Sequence, residues 1–132
     1  MRDRHWSMPF INPPSFLEEK INSCCKKFEV DIFKGNRMSH LLSKNSNKGK
    51  AIIALKNYSN IQNIKIIGLG DSPNDLPLLL NSDIRIVIPG IDGPNLNLLD
   101  QLKDMEFTIA SEPNGYGWKN EINNLINKLG LI

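Results

Sequence analysis

The chain has 132 residues, enough for one modest domain or for part of a larger one. A hydrophobic fraction of 40% and a charged fraction of 23% are those of a soluble globular protein. The net charge is +2 and the lysines are scattered, which gives no argument for a nucleic-acid partner, and no apolar run approaches bilayer length.

The N-terminal stretch "MRDRHWSMPF" lacks the hydrophobic core of a signal peptide. Cys24 and Cys25 are adjacent, a spacing that rarely pairs and that offers no C-x-x-C site, so both are read as partly buried free thiols. A cytoplasmic compartment is expected on these grounds.

Residues 1–14 are polar and proline-rich, with Trp6 and Phe10 as expected anchors. Ser15 and Glu18 have capping-box spacing, and Phe16, Leu17, Ile21 and Cys24 follow with helical periodicity. The runs "FEVDIF" and "RMSHLL", separated by Lys34, Gly35 and Asn36, predict a β-hairpin. After a polar stretch at 43–48 the pattern changes. A helix over 48–58 is followed by a buried strand over 64–69, then by a helix opened by "NDLPLLL" with Pro77 in its tolerated first turn. Buried strands at 84–88 and 106–110 and an amphipathic helix over 118–130, closed by Gly130, complete the chain. Apolar strands alternating with helices predict an α/β fold built on a parallel sheet. The expected boundary gives two parts, residues 1–45 and 46–132.

The chemistry concentrates in "KIIGLGDSPNDLPLLL". Ligands of open parallel sheets bind beyond the carboxyl ends of the strands, and Asp71 is predicted there, after Gly68 and Gly70, which are read as allowing a sharp turn. Asp75 follows four residues later. Two hard carboxylate ligands suit Mg²⁺, with Asn74 as a residue that orients one of them from behind. Helix capping by Asp71 or Asn74 would explain one residue but not the second acid. A serine-nucleophile reading of Gly70, Asp71 and Ser72, as in the GDS-type esterases, needs a His base downstream, whereas His5 and His40 both lie upstream.

"GLGDSPNDLPLL" resembles the fourth motif of the haloacid dehalogenase-like (HAD) phosphatases, whose acids bind the catalytic Mg²⁺. "KGNRMSHLL" followed by "NKGKA" resembles the cap hairpin and lysine motif of the mannosyl-3-phosphoglycerate phosphatases. "RHWSMPF" resembles their cap-entry segment, with Met8 where that family has an acid, and "NGYGWKNEI" their glycine–tryptophan segment. The resemblance runs from about Arg4 to the end. It implies the end of an α+β cap (helix and hairpin) joined to part of a Rossmann-like core, in a phosphatase that makes a glycosylglycerate, a compatible solute.

By position, the resemblance implies that Lys48 neutralises charge on the nucleophile and phosphate, with Lys50 as the fallback if the register shifts by two. It implies that Asp71 and Asp75 hold Mg²⁺. Arg37 is the stronger candidate for gripping the glycerate carboxylate, because a guanidinium can do so in bidentate fashion. His40, three residues on, points to the opposite face of a regular strand and is either a substrate contact or a structural histidine. Trp118 is read as packing in preference to a sugar platform.

Phosphatases of this family form an aspartyl-phosphate on the first acid of an Asp-x-Asp motif. None of the eight aspartates here has another two residues away. The chain is therefore expected to correspond to the second half of such an enzyme and to lack turnover alone. Three readings follow: a truncated sugar-phosphoglycerate phosphatase, a non-catalytic remnant or one half of a split enzyme, and a phosphatase of another sugar phosphate such as sucrose phosphate. Loss of the central strand would expose a sheet edge, open to a missing half or to self-association.

Overall fold

The computed structural model describes residues 8–35, 38–44, 46–58 and 64–130. Two three-stranded sheets organise them. The first contains β1 (Met8–Ile11), β2 (Val30–Lys34) and β3 (Met38–Ser43) in the order β1-β3-β2, all antiparallel, with α1 (Ser15–Lys27) against it. The second contains β4 (Ile67–Gly70), β5 (Ile84–Val87) and β6 (Thr108–Ile109), parallel and in chain order. Helices α2 (Lys48–Tyr58), α3 (Leu76–Leu80), α4 (Leu96–Leu102) and α5 (Asn114–Lys128) accompany it, and a 3-10 turn, Pro73–Asp75, leads into α3.

The core lies on both faces of the parallel sheet. Val87 packs with Leu79, Leu98 and Leu102 on one face, and Ile86 with Ile88 and Ala110 on the other, where Leu125 of α5 joins them. This alternation along β5 puts α3 and α4 on one side and α5 on the other. The first sheet has one covered face. Val30, Ile32, Ser39 and Leu41 look toward α1, whereas Phe33, His40 and Leu42 look toward Lys48 and Asn74.

Several expectations are corrected. The N-terminal stretch contributes a strand: Pro9 and Phe10 pair with His40 and Ser39, and because β1 is an edge strand it tolerates proline. Trp6 lies outside the described residues. Ser15 does not cap α1; Pro14 holds that position, and Glu18 instead takes Lys34 of β2 at 2.6 Å. Helix α4 was not foreseen: "LNLLDQL" is short, but Asn95 caps it by accepting the Leu98 N–H at 3.1 Å. Helix α5 starts four residues before Trp118, in the glycine-containing "NGYG". Its end behaves as expected, with Gly130 in the left-handed region at φ 64°. Cys24 is exposed rather than partly buried.

Candidate active site

The site is built at the carboxyl end of β4. The expected sharp turn at Gly68 and Gly70 is not what these residues supply: both lie in or at the end of the strand, and neither has positive φ. Their smallness is used for close approach. A Cβ on Gly68 would strike the Ser82 hydroxyl, and one on Gly70 would lie 2.5 Å from the Asp75 Cβ. Gly70 therefore makes room for the Asp75 side chain, which is buried at 4% exposure.

Both oxygens of Asp75 are engaged. Oδ2 accepts the Asp71 N–H at 3.1 Å, and Oδ1 pairs with the Lys48 ammonium. The Asp75 N–H in turn donates to the Ser72 carbonyl at 2.9 Å, closing the turn. Lys48 is the first residue of α2, whose next residue, Gly49, is buried so tightly on α3 that a Cβ would meet the Pro77 carbonyl. The close α2–α3 packing thus delivers Lys48 to Asp75. Asn47 caps α2 by accepting the Lys50 N–H at 2.9 Å.

Asp71 stands at the rim of this arrangement. Its carboxyl is pushed up from the ordinary carboxylate value, first by partial withdrawal from water and then by Asp75 beside it; the Ser72 hydroxyl opposes this weakly from 3.4 Å. Two carboxylates forced together with one lysine are a donor set that a hard divalent cation would relieve. Mg²⁺ takes one or two carboxylates and keeps several waters, so the pair fits it in kind and number. Among the described residues no cluster of three or more His, Cys, Asp or Glu side chains stands ready for a metal. Asn74 touches neither carboxylate by a hydrogen bond of its own in this network: its Oδ1 accepts from Ser72, which lies between it and Asp71.

Two cavities meet at Lys48. One of about 350 Å³ is lined by Lys48, Asp71, Asp75, Asn114, Gly115 and Trp118, among others. Trp118 is 51% exposed there, so it borders the acid pair rather than filling a core. The second, of about 360 Å³, is lined by Phe33, His40, Leu42, Asn47, Lys48 and Asn74. His40 thus faces the lysine across the two sheets, whereas Arg37 lies outside the described residues. Lys50 lines neither cavity. Sequence reasoning missed Phe33 and Asn47, and weighed Ser72 only as a nucleophile and not as the hydroxyl beside Asp71 and Asn74. Asn47, directly before a helical run, carried a capping signal. Phe33 could be found only by pairing it with His40 across the hairpin.

A family model described as haloacid dehalogenase-like hydrolase matches residues 12–88. The chain belongs to the haloacid dehalogenase-like hydrolases. It is 31% identical over 135 residues to a glucosyl-3-phosphoglycerate/mannosyl-3-phosphoglycerate phosphatase of Persephonella marina, covering 97% of this chain and 47% of that one. A protein of the same name from Methanococcoides burtonii is 36% identical over 123 residues, covering 85% of this chain and 43% of the relative. The chain therefore spans about half the length of the curated relatives it matches. Among solved structures it is similar to a sucrose-phosphatase from Synechocystis in complex with sucrose and phosphate, with a TM-score of 0.70 and 20% identity, over 90% of this chain and 51% of that one. A HAD subclass IIB sugar phosphatase superposes with a TM-score of 0.63 at 17% identity, over 96% of this chain and 44% of that one. At these identities the structures establish the fold alone, a mixed α/β HAD architecture. Among the described residues no helix is long and apolar enough to cross a membrane.

Proposed function

We propose that the chain carries the metal- and phosphate-binding part of a Mg²⁺-dependent, cytoplasmic phosphatase that converts mannosyl- or glucosyl-3-phosphoglycerate to the glycosylglycerate. The observation that carries this reading is Lys48 seated on Asp75, with Asp71 beside it, at the carboxyl end of a parallel strand. Asp71 and Asp75 would hold Mg²⁺, whose charge offsets that of the phosphate oxygens. Lys48 adds a fixed cation on the same side, and positioning of charge supplies much of the catalysis in phosphoryl transfer. Asn74, which accepts the Ser72 hydroxyl, would fix the turn that carries Asp71. His40, on the sheet face turned toward Lys48, and Arg37 recognise the organic part of the substrate; Arg37 enters on the motif resemblance alone. On this reading residues 1–45 are cap and 46–132 core.

The aspartate nucleophile that the resemblance implies is not among the residues of this chain. The test is a single-chain chimera in which the part of the Persephonella marina relative outside the matched span is fused to these 132 residues. It should release phosphate from mannosyl-3-phosphoglycerate with Mg²⁺, lose that activity in EDTA, and lose it again on Lys48→Ala. Equal hydrolysis of sucrose phosphate, or indifference to EDTA, would defeat the proposal.

A further inference from the structure

The antiparallel sheet meets the site through one of its faces. Phe33 of β2 pairs with His40 of β3, and Leu42 follows His40 by two residues, so the three side chains share that face. Strand β2 touches the turn Pro73–Asp75. Where sheet and turn meet lies the cavity of about 360 Å³ lined by Phe33, His40, Leu42, Asn47, Lys48 and Asn74.

The lining is of two kinds. Phe33 and Leu42 are apolar, and neither belongs to the two buried clusters of the core, so the Phe33 ring is not committed to packing there. The other residues are polar. Oδ1 of Asn47 accepts the Lys50 N–H at 2.9 Å, and Oδ1 of Asn74 accepts the Ser72 hydroxyl. Each amide is oriented by that bond, and what each has left to offer is its NH₂ group, a donor. Lys48 lines this cavity and also the one that holds Asp71 and Asp75. A molecule whose phosphate sits beside the acids therefore reaches this second cavity past the lysine.

We infer that Phe33 is a specificity-determining residue for the glycosyl group: the C–H face of the pyranose lies on its ring, and the Asn47 and Asn74 amides donate to the hydroxyls. The inference rests on the phosphatase reading above and names the side chains that read the sugar. A pyranose has a face of C–H groups and a rim of hydroxyls, and an aromatic wall with amide donors around it matches both. The glycerate carboxylate is a poorer occupant, because an apolar wall takes water from an anion and returns no hydrogen bond. Trp118, weighed above as a sugar platform, lines the cavity of the acid pair and not this one.

The experiment is calorimetric titration of the full 132-residue chain, in Mg²⁺, with two probes: mannosyl-3-phosphoglycerate, and 3-phosphoglycerate, which lacks the sugar. The unaltered chain should bind the first more tightly. Phe33→Ala should weaken mannosyl-3-phosphoglycerate about tenfold and change 3-phosphoglycerate by less than about twofold, and Phe33→Tyr, which keeps the ring, should retain the preference. Equal loss for both probes, or loss for neither, would overturn the inference. Should Phe33→Ala fail to fold, intermolecular nuclear Overhauser contacts in the unaltered chain decide. Contacts between the Phe33 ring protons and the pyranose C–H protons are expected, and contacts to the Trp118 ring alone would overturn the inference. If neither probe binds the unaltered chain, the phosphatase reading fails and this inference falls with it; if both bind equally, only the inference falls.

Discussion

Gly70→Ala adds one methyl group at the most constrained point of the site. The new carbon would lie 2.5 Å from the Asp75 Cβ and 3.2 Å from both the Asp75 Cγ and a Leu79 methyl. Ordinary carbon–carbon contact begins near 3.5 Å, so the strand and the turn must part by about 1 Å. Neither yields easily, because Asp75 is held at three points: by the Lys48 ammonium, the Asp71 N–H and the Ser72 carbonyl. Overpacking of this kind costs about 1–3 kcal/mol, and here the displacement falls on a proposed metal ligand. Gly115→Ala is the matched control. Nothing lies within 4 Å of its added Cβ, and it sits in the first turn of α5, so the same methyl should stabilise by about 0.4–1 kcal/mol. Urea unfolding and Mg²⁺ titration by calorimetry read both effects. Opposite signs in stability, with Mg²⁺ affinity lost only in the Gly70 variant, are expected. If Gly70→Ala unfolds at the same urea concentration as the parent and binds Mg²⁺ equally well, the close packing of β4 on Asp75 is not what shapes this site.

Three further outcomes follow from the same geometry. Lys48→Ala leaves the buried Asp75 carboxylate without its cation and should cost about 1–3 kcal/mol, moderated because the lysine itself is half exposed; Lys50→Ala should stay within about 0.5 kcal/mol, and a reversal would show that the register is wrong by two. Asp71→Asn should raise the thermal midpoint of the metal-free chain at neutral pH and remove the stabilisation given by Mg²⁺. The sign follows from its raised carboxyl, first desolvated and then crowded by Asp75: the stability it contributes is complete below the unfolded value of about 3.9 and is lost as pH rises through the higher folded value. The gain from Asn should therefore vanish in melts near pH 3, and a gain that persists there would refute the cause. Leu98→Ala, at a fully buried position of α4, should cost about 2–5 kcal/mol in denaturant unfolding, and a cost under 1 kcal/mol would mean that α4 is not part of the core.

How far the sequence could be read depended on whether a signal was local. The parallel strands were legible because short, strongly apolar runs such as "IRIVI", interrupted only by Arg85, suit strands covered on both faces, and the hairpin because Gly35 and Asn36 separate two alternating runs. The convergence of Asp71 and Asp75 followed from their spacing. Strand β1 was hidden because Pro9 argues against a strand unless its edge position is known, and that position is set by pairing with residues thirty places away. Helix α4 was hidden because seven residues give too few turns for periodicity to register. The glycines show the same limit from another side. Their presence was visible, but whether they serve a turn or a close approach depends on where Ser82 and Asp75 return to the strand, and that is a tertiary fact.

The arrangement of the site also explains how the acid pair and its lysine are held in order. Lys48 arrives on α2, Asp71 and Asp75 on the turn after β4, and His40 on the other sheet, yet the first three are tied by bonds that need nothing from outside these residues. Leu69 lines the cavity of the acid pair from β4, and among the described residues no strand pairs with that edge of the sheet. Mg²⁺ affinity should therefore survive His40→Ala, because the acid pair and Lys48 are held without the other sheet. Calorimetric titration of the His40→Ala chain against the parent would show this, and a loss of affinity would mean that the antiparallel sheet takes part in holding the acid pair.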